Sequence, residues 1–388
     1  MTTPTTVPPQ PATLLRGGAL DALRFLASMF VVLFHFGDEA PIPLQSLHSV
    51  WERGYLATDF FLMLSGFVLA RAYGAGVASG RIAPVRFWLK RFARSYPTHL
   101  ISLAVLAILV LAATLVGKAP AHPERFDWSG LPAQILLLHA FGIGGGQWNI
   151  PAWTLSALLI CYAFFPWLWR AMMRLPGAMA ALALGLVLLV GGQALSLALL
   201  HHSLFDLPFQ WAMVRAAPLF LIGLTLARAV EAGCWSPRTA RLVALGGAAA
   251  LLANVAVAGP DMISLLAICA LTLGCGALPP ILATTRPIPG AAWGARVSFC
   301  LFMTHTITGA VWFGAIQPVI ERIHPAVATV AWQAWGVWLL ALVAAVVAAD
   351  LYNRLIDAPL QRAIRRRWFS APDLSARPDP RPAAEPSA

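Results

Sequence analysis

Charge is scarce in this 388-residue chain: 11% of its residues are Asp, Glu, Lys or Arg, against 59% hydrophobic, and mean hydropathy is +0.73. No soluble domain of this length sustains that balance, so the expected class is an all-α integral membrane protein. Lysine is nearly absent despite a formal charge of +11, and no basic groove interleaved with aromatics accompanies the arginines, so nucleic acid is not an expected partner. Residues 1–19 lack an apolar signal core; no cleavable leader is predicted, and the first span is expected to insert itself. That segment and the Pro/Ala-rich tail 370–388 are predicted to be disordered, leaving 20–369 as one multi-span domain. The five cysteines (Cys161, Cys234, Cys269, Cys275, Cys300) show neither C-x-x-C nor metal spacing and read as small core hydrophobes, so no metal is expected. No internal repeat shows in the sequence, and no fused soluble module is expected within it.

What the chain has is apolar runs of membrane length, near 20–36, 56–73, 98–117, 151–169, 178–200, 207–228, 242–258, 262–283, 297–315 and 330–349. The stretch 131–146 is short, carries His139 and ends in glycines; it is placed in, or dipping into, the outer face. The positive-inside rule then assigns the basic run Arg71, Arg81, Arg86, Lys90, Arg91, Arg94 to the cytoplasm. The expectation is about ten transmembrane helices with both termini cytoplasmic, in the cytoplasmic (inner) membrane. Trp128, Trp148, Trp153 and Trp211 fit an aromatic belt on the outer side.

An ionisable side chain at bilayer depth costs about 2.5 to 3.5 kcal/mol on insertion scales and is usually retained for a task. Arg24 and His35 are eleven residues apart in the first span, about three helical turns, and so share one face. Asp21 is close enough to Arg24 for an ion pair. His35 and Asp59 fall near the outer ends of spans 1 and 2, with Trp153 at the same level; Arg215 and His305 are placed near mid-membrane. Each has a plainer reading. His35 serves equally as an interfacial histidine, Asp59 as a helix cap or as the orienting partner of His35, Arg215 as half of a buried pair, and His305 as a hydrogen-bonded core residue. The basic run satisfies the topology rule by itself, yet Lys90, Arg91 and Arg94 lie within one turn, with Arg86 before them, and suit a phosphate-rich ligand. Ser65-Gly66 reads as a point of close helix approach.

These pieces resemble the acyltransferase 3 family of integral-membrane O-acyltransferases. The resemblance rests on "LDALRFLASMFVVLFHFG", "GYLATDFFLMLSGFVL", "FWLKRFARSYP", "PAWTLSALLICYAFFP", "RAAPLFLIGLTLA" around Arg215, "GARVSFCLFMTH" ending in His305, and "LIDAPL", in order along nearly the whole chain. One departure stands out: where many members carry an acidic residue three places after the Trp-Ser-Leu leucine, this chain has Leu158, and Thr154 replaces the serine.

The resemblance implies transfer of an acyl group, acetyl foremost, from cytosolic acyl-CoA to a hydroxyl of a carbohydrate or lipid-linked saccharide. Acyl-CoA is then a substrate rather than a resident cofactor. Lys90, Arg91, Arg94 and Arg86 are expected to hold its phosphates, with Arg24 at the mouth. His35 acts as general base or covalent acyl carrier, with Asp59 beside it. Arg215 or His305 stabilises the oxyanion, and Trp153 faces the acceptor. A transporter or flippase of an anionic substrate is the alternative, since it too lines a path with Arg and His.

Overall fold

The computed structural model describes residues 18–118, 123–143, 148–207, 209–233, 235–278 and 287–369. The expected disorder of residues 1–17 and of the tail from 370, and the reading of Cys234, lie outside them. Ten principal helices follow in order: α1 (Ala19–Phe36), α2 (Tyr55–Ala78), α3 (Pro84–Leu115), α4 (Ala152–Met172), α5 (Ala178–Leu200), α6 (Ala212–Ala232), α7 (Pro237–Ala256), α8 (Asp261–Ala277), α9 (Ala291–Val311) and α10 (Ala331–Tyr352). Nine of them are long and apolar enough to cross a membrane; α8 is a shorter apolar helix of 17 residues. The chain is thus a multi-pass membrane protein. After α10 a π-helical turn, Asn353–Asp357, leads into a basic terminal helix, α11 (Ala358–Trp368).

The basic run is mostly helical: Arg71 lies in α2, Arg81 in the turn between α2 and α3, and Arg86, Lys90, Arg91 and Arg94 in the first turns of α3, a helix that begins well before the apolar run at 98. Pro84 occupies the first turn, where its missing N–H costs nothing, and α3 then continues for 32 residues through Pro97. That is about 48 Å against a hydrocarbon core of about 30 Å, so the first turns, with Arg86, Lys90, Arg91 and Arg94, have length to spare beyond the apolar layer. We call this the basic end of the bundle.

Residues 131–143 do not cross. Two short turns, Leu131–Ile135 and Leu138–Phe141, meet at Leu137, which adopts a left-handed conformation (φ 55°). Leu137 is buried against Leu155 and Leu159 of α4, and its carbonyl accepts from the Ser156 hydroxyl. From α3, Tyr96 donates to the Ile135 carbonyl at 3.0 Å and His99 Nε2 to the Gln134 carbonyl at 2.9 Å. The segment therefore dips into the bundle. Of the four belt tryptophans, Trp128 and Trp211 are exposed, but Trp148 is buried, with its indole N–H donating to the Asp127 carbonyl. It is a core residue, correcting its place in the belt.

Two close helix pairs position the polar residues. In lipid no hydrophobic gain drives one apolar helix onto another, so close backbone approach through small residues does that work. A Cβ added to Gly66 of α2 would stand 2.2 Å from the Phe220 carbonyl oxygen of α6, and one on Gly223 would stand 2.0 Å from the Met63 carbonyl oxygen. Ser65 bonds back to the Phe61 carbonyl, as suits a packing residue. The second pair is α1 with α9. There the Ser28 hydroxyl donates to the Ser298 carbonyl at 3.1 Å, and a Cβ on Gly294 would meet Phe25 at 2.8 Å. Both pairs are parallel, because matched residues keep a nearly constant separation along the chain.

Candidate active site

The register of α1 on α9 builds the first centre. Ser28 meets Ser298, 270 residues on; the same offset sets His35 against His305, and the two imidazoles stack with centroids 5.0 Å apart at 27°. His305 is fully buried. Its Nδ1 lies 2.9 Å from the Phe302 carbonyl and 3.2 Å from that of Leu301. Carbonyls only accept, so Nδ1 carries the proton and Nε2 of the neutral ring is an acceptor, without a partner among the described residues. A neutral His305 thus has no donor to spare for an oxyanion. Arg125, in the turn Pro123–Arg125, lies within electrostatic reach of His35.

Asp59 is not the orienting partner of His35, nor a helix cap. It is the fifth residue of α2, fully buried, and its Oδ1 accepts from Arg215 Nε at 2.8 Å. The cause is the close approach of α2 and α6. Arg215 is the fourth residue of α6, which begins at Ala212, so it stands at the depth of Asp59 rather than near mid-membrane. The stacking likewise brings His305 to the level of His35. The Arg215 guanidinium lies 5.7 Å from the Tyr55 ring centroid and 5.9 Å from that of Trp153. Tyr55 donates to Asp261 Oδ1 at 2.8 Å. Asp59 Oδ2 and Arg215 Nη2 have no partner among the described residues. Among the described residues no hydrogen bond or ion pair joins this centre to the histidines; a small apolar cluster of Val31, Ala57, Ala152, Phe302 and Met303 packs where α1, α2, α4 and α9 meet.

At the basic end, Arg91 donates to the Tyr73 hydroxyl at 2.7 Å and stacks on that ring. Arg94 pairs with Asp357 at 2.9 Å and lies 5.0 Å over the Phe299 ring. Lys90 lies 5.8 Å from the Phe369 ring centroid, and Arg86 is half-buried in the first turn of α3. Arg24, half-buried near the start of α1, and Arg91 both lie within electrostatic reach of the Tyr162 hydroxyl. His35 stands about 16 Å further along the same face of α1 from Arg24. Among the described residues, no three His, Cys, Asp or Glu side chains gather as a metal site would require.

Fold and site together define a polytopic helical membrane protein with a stacked imidazole pair in line with an arginine-rich end. The chain belongs to the acyltransferase 3 family: the family's acyltransferase-domain profile matches residues 18–354. It is similar to a protein named acyltransferase MdmB from Streptomyces mycarofaciens, 28% identical over 174 residues, covering 43% of this chain and 42% of that one. It is also similar to "Protein 2 in picA locus" from Rhizobium radiobacter, 39% identical over 102 residues, covering 25% of this chain and 48% of the other. In these matches the chain spans less than half the length of either relative. No solved structure matches it.

Proposed function

We propose that the protein moves an acyl group, acetyl foremost, from cytosolic acyl-CoA to a hydroxyl of a carbohydrate or lipid-linked saccharide at the outer face of the cytoplasmic membrane. The observation that carries this reading is the His35–His305 pair standing on the same helix face as Arg24. The basic end faces the cytosol in this account, in keeping with the positive-inside rule. Arg24, Arg91, Arg94 and Lys90 hold the phosphates, and the thin pantetheine arm follows α1 toward His35.

His35 removes the proton of the acceptor hydroxyl as its oxygen attacks the thioester carbonyl. The C–S bond breaks, the ester forms, and the imidazolium returns its proton to the departing thiolate, leaving free CoA. General-base assistance of this kind contributes about 10² to 10⁴ in rate. In this account Nε2 of His305, which has no partner among the described residues, accepts a hydrogen bond from a neighbouring hydroxyl of the acceptor and so orients it. Arg215, braced by Asp59 and set between Tyr55 and Trp153, is the group able to donate toward developing negative charge.

Purified protein incubated with acetyl-CoA labelled in the acetyl group tests this. Thioester hydrolysis or ester formation supports acyl transfer. Accumulation of an anionic solute in proteoliposomes without thioester cleavage supports a transporter instead.

A further inference from the structure

The motif "LIDAPL" enters the π-helical turn Asn353–Asp357, and its aspartate has no part in the mechanism above. Asp357 is almost fully buried, on a turn whose extra residue turns its side chain toward α3. There Oδ1 accepts from Arg94 Nη1 at 2.9 Å and from the Thr98 hydroxyl at 2.9 Å. One turn on, the Gln361 amide donates to the carbonyls of Ala93 and Arg94, both at 3.1 Å. The start of α11 is thereby fixed to the basic end of α3. The guanidinium of Arg94, on a side chain 38% exposed, is held on one side by Asp357 and from beneath by Phe299.

A guanidinium has five N–H donors, and Asp357 occupies one of them. Among the described residues no further hydrogen bond takes up the remaining donors, which can therefore face a ligand in a fixed plane, the condition for bidentate recognition of phosphate. A flexible arginine on a helix that overhangs the membrane would lose more rotamer freedom on binding. We infer that Asp357 is a positioning residue for the donor: through Arg94 it pre-orients the subsite for the phosphates at the nucleotide end of acyl-CoA. This rests on the acyl-CoA reading above.

The experiment compares acetyl-CoA with S-acetylpantetheine, a thioester donor that has no phosphates, on the full-length protein. Loss of one charge-assisted hydrogen bond makes Asp357→Asn raise KM for acetyl-CoA about tenfold, with kcat within about twofold. KM for S-acetylpantetheine stays unchanged, and Asp357→Glu restores most of the loss. Thr98→Val, a milder change, raises KM for acetyl-CoA by a smaller factor in the same donor-selective way, and it decides the matter should Asp357→Asn fail to accumulate. Equal effects on both donors, or a fall in kcat alone, overturn the positioning role. If the wild type itself has the same KM for both donors, the phosphate-binding reading of the basic end fails first and the inference falls with it.

Discussion

Removing either member of the Asp59–Arg215 pair alone should be far more damaging than removing both. The two side chains are 0% and 7% exposed, so Asp59→Asn leaves a buried guanidinium, and Arg215→Met a buried carboxylate, without its ion-pair partner. Such an orphaned charge costs about 3–5 kcal/mol, whereas replacing a whole buried pair by neutral side chains of similar volume is often near neutral. Here Asp59 Oδ2 and Arg215 Nη2 are already unsatisfied, so the intact pair recovers only part of its desolvation cost and the double variant should lie close to the wild type. A double-mutant cycle by SDS-induced unfolding in mixed micelles measures this. The expected coupling is several kcal/mol, with each single variant the least stable. Single variants that each cost under about 1 kcal/mol, or costs that simply add, refute the claim that the pair is buried and mutually compensating.

Arg24→Lys should already impair turnover, because a planar multi-donor group is replaced by a point charge; a variant with wild-type kcat and KM removes Arg24 from donor binding. Replacing Arg91 and Arg94 together with Ala should weaken acyl-CoA binding most at low ionic strength, where phosphate contacts are least screened, and a salt titration that superimposes on the wild type counts against it. Gly223→Leu should force α2 from α6 and lower stability about as much as a single substitution in the Asp59–Arg215 pair does, read by the same SDS titration; a stability equal to wild type would show that the backbones are not in close contact. For topology, a cysteine at Ser129 should react with an impermeant thiol reagent added outside intact cells while one at Ser79 should not, and the reverse pattern inverts the orientation proposed here.

Class, helix number and the polar residues of interest were legible because apolar length and charge asymmetry are local properties of sequence. Register between distant helices is not local. His35 meets His305 only because α1 and α9 pack at an offset of 270 residues, and nothing within either span encodes that number. Asp59 and His35 stand at either end of the segment joining spans 1 and 2, so the sequence offers their pairing beside a helix cap. The true partner of Asp59 was hidden by setting span 6 five residues early, which sank Arg215 toward mid-membrane. The helical start of α3 is invisible to an apolar-run search because its basic turns are too polar. Asp357 stood in a quoted motif without a role, since only the π-turn shows where its carboxylate points.

The central claim is that His35 is the base of an acyl transfer, and it is tested most directly by measuring acyl-CoA binding and turnover on the same purified His35→Ala protein. The account predicts that turnover falls by about 10² or more while acyl-CoA affinity is nearly unchanged, since the imidazole acts on the acceptor proton and the arginines hold the donor. Near-normal turnover, or an affinity that falls in proportion to activity, would contradict it and return His35 to the role of an interfacial histidine.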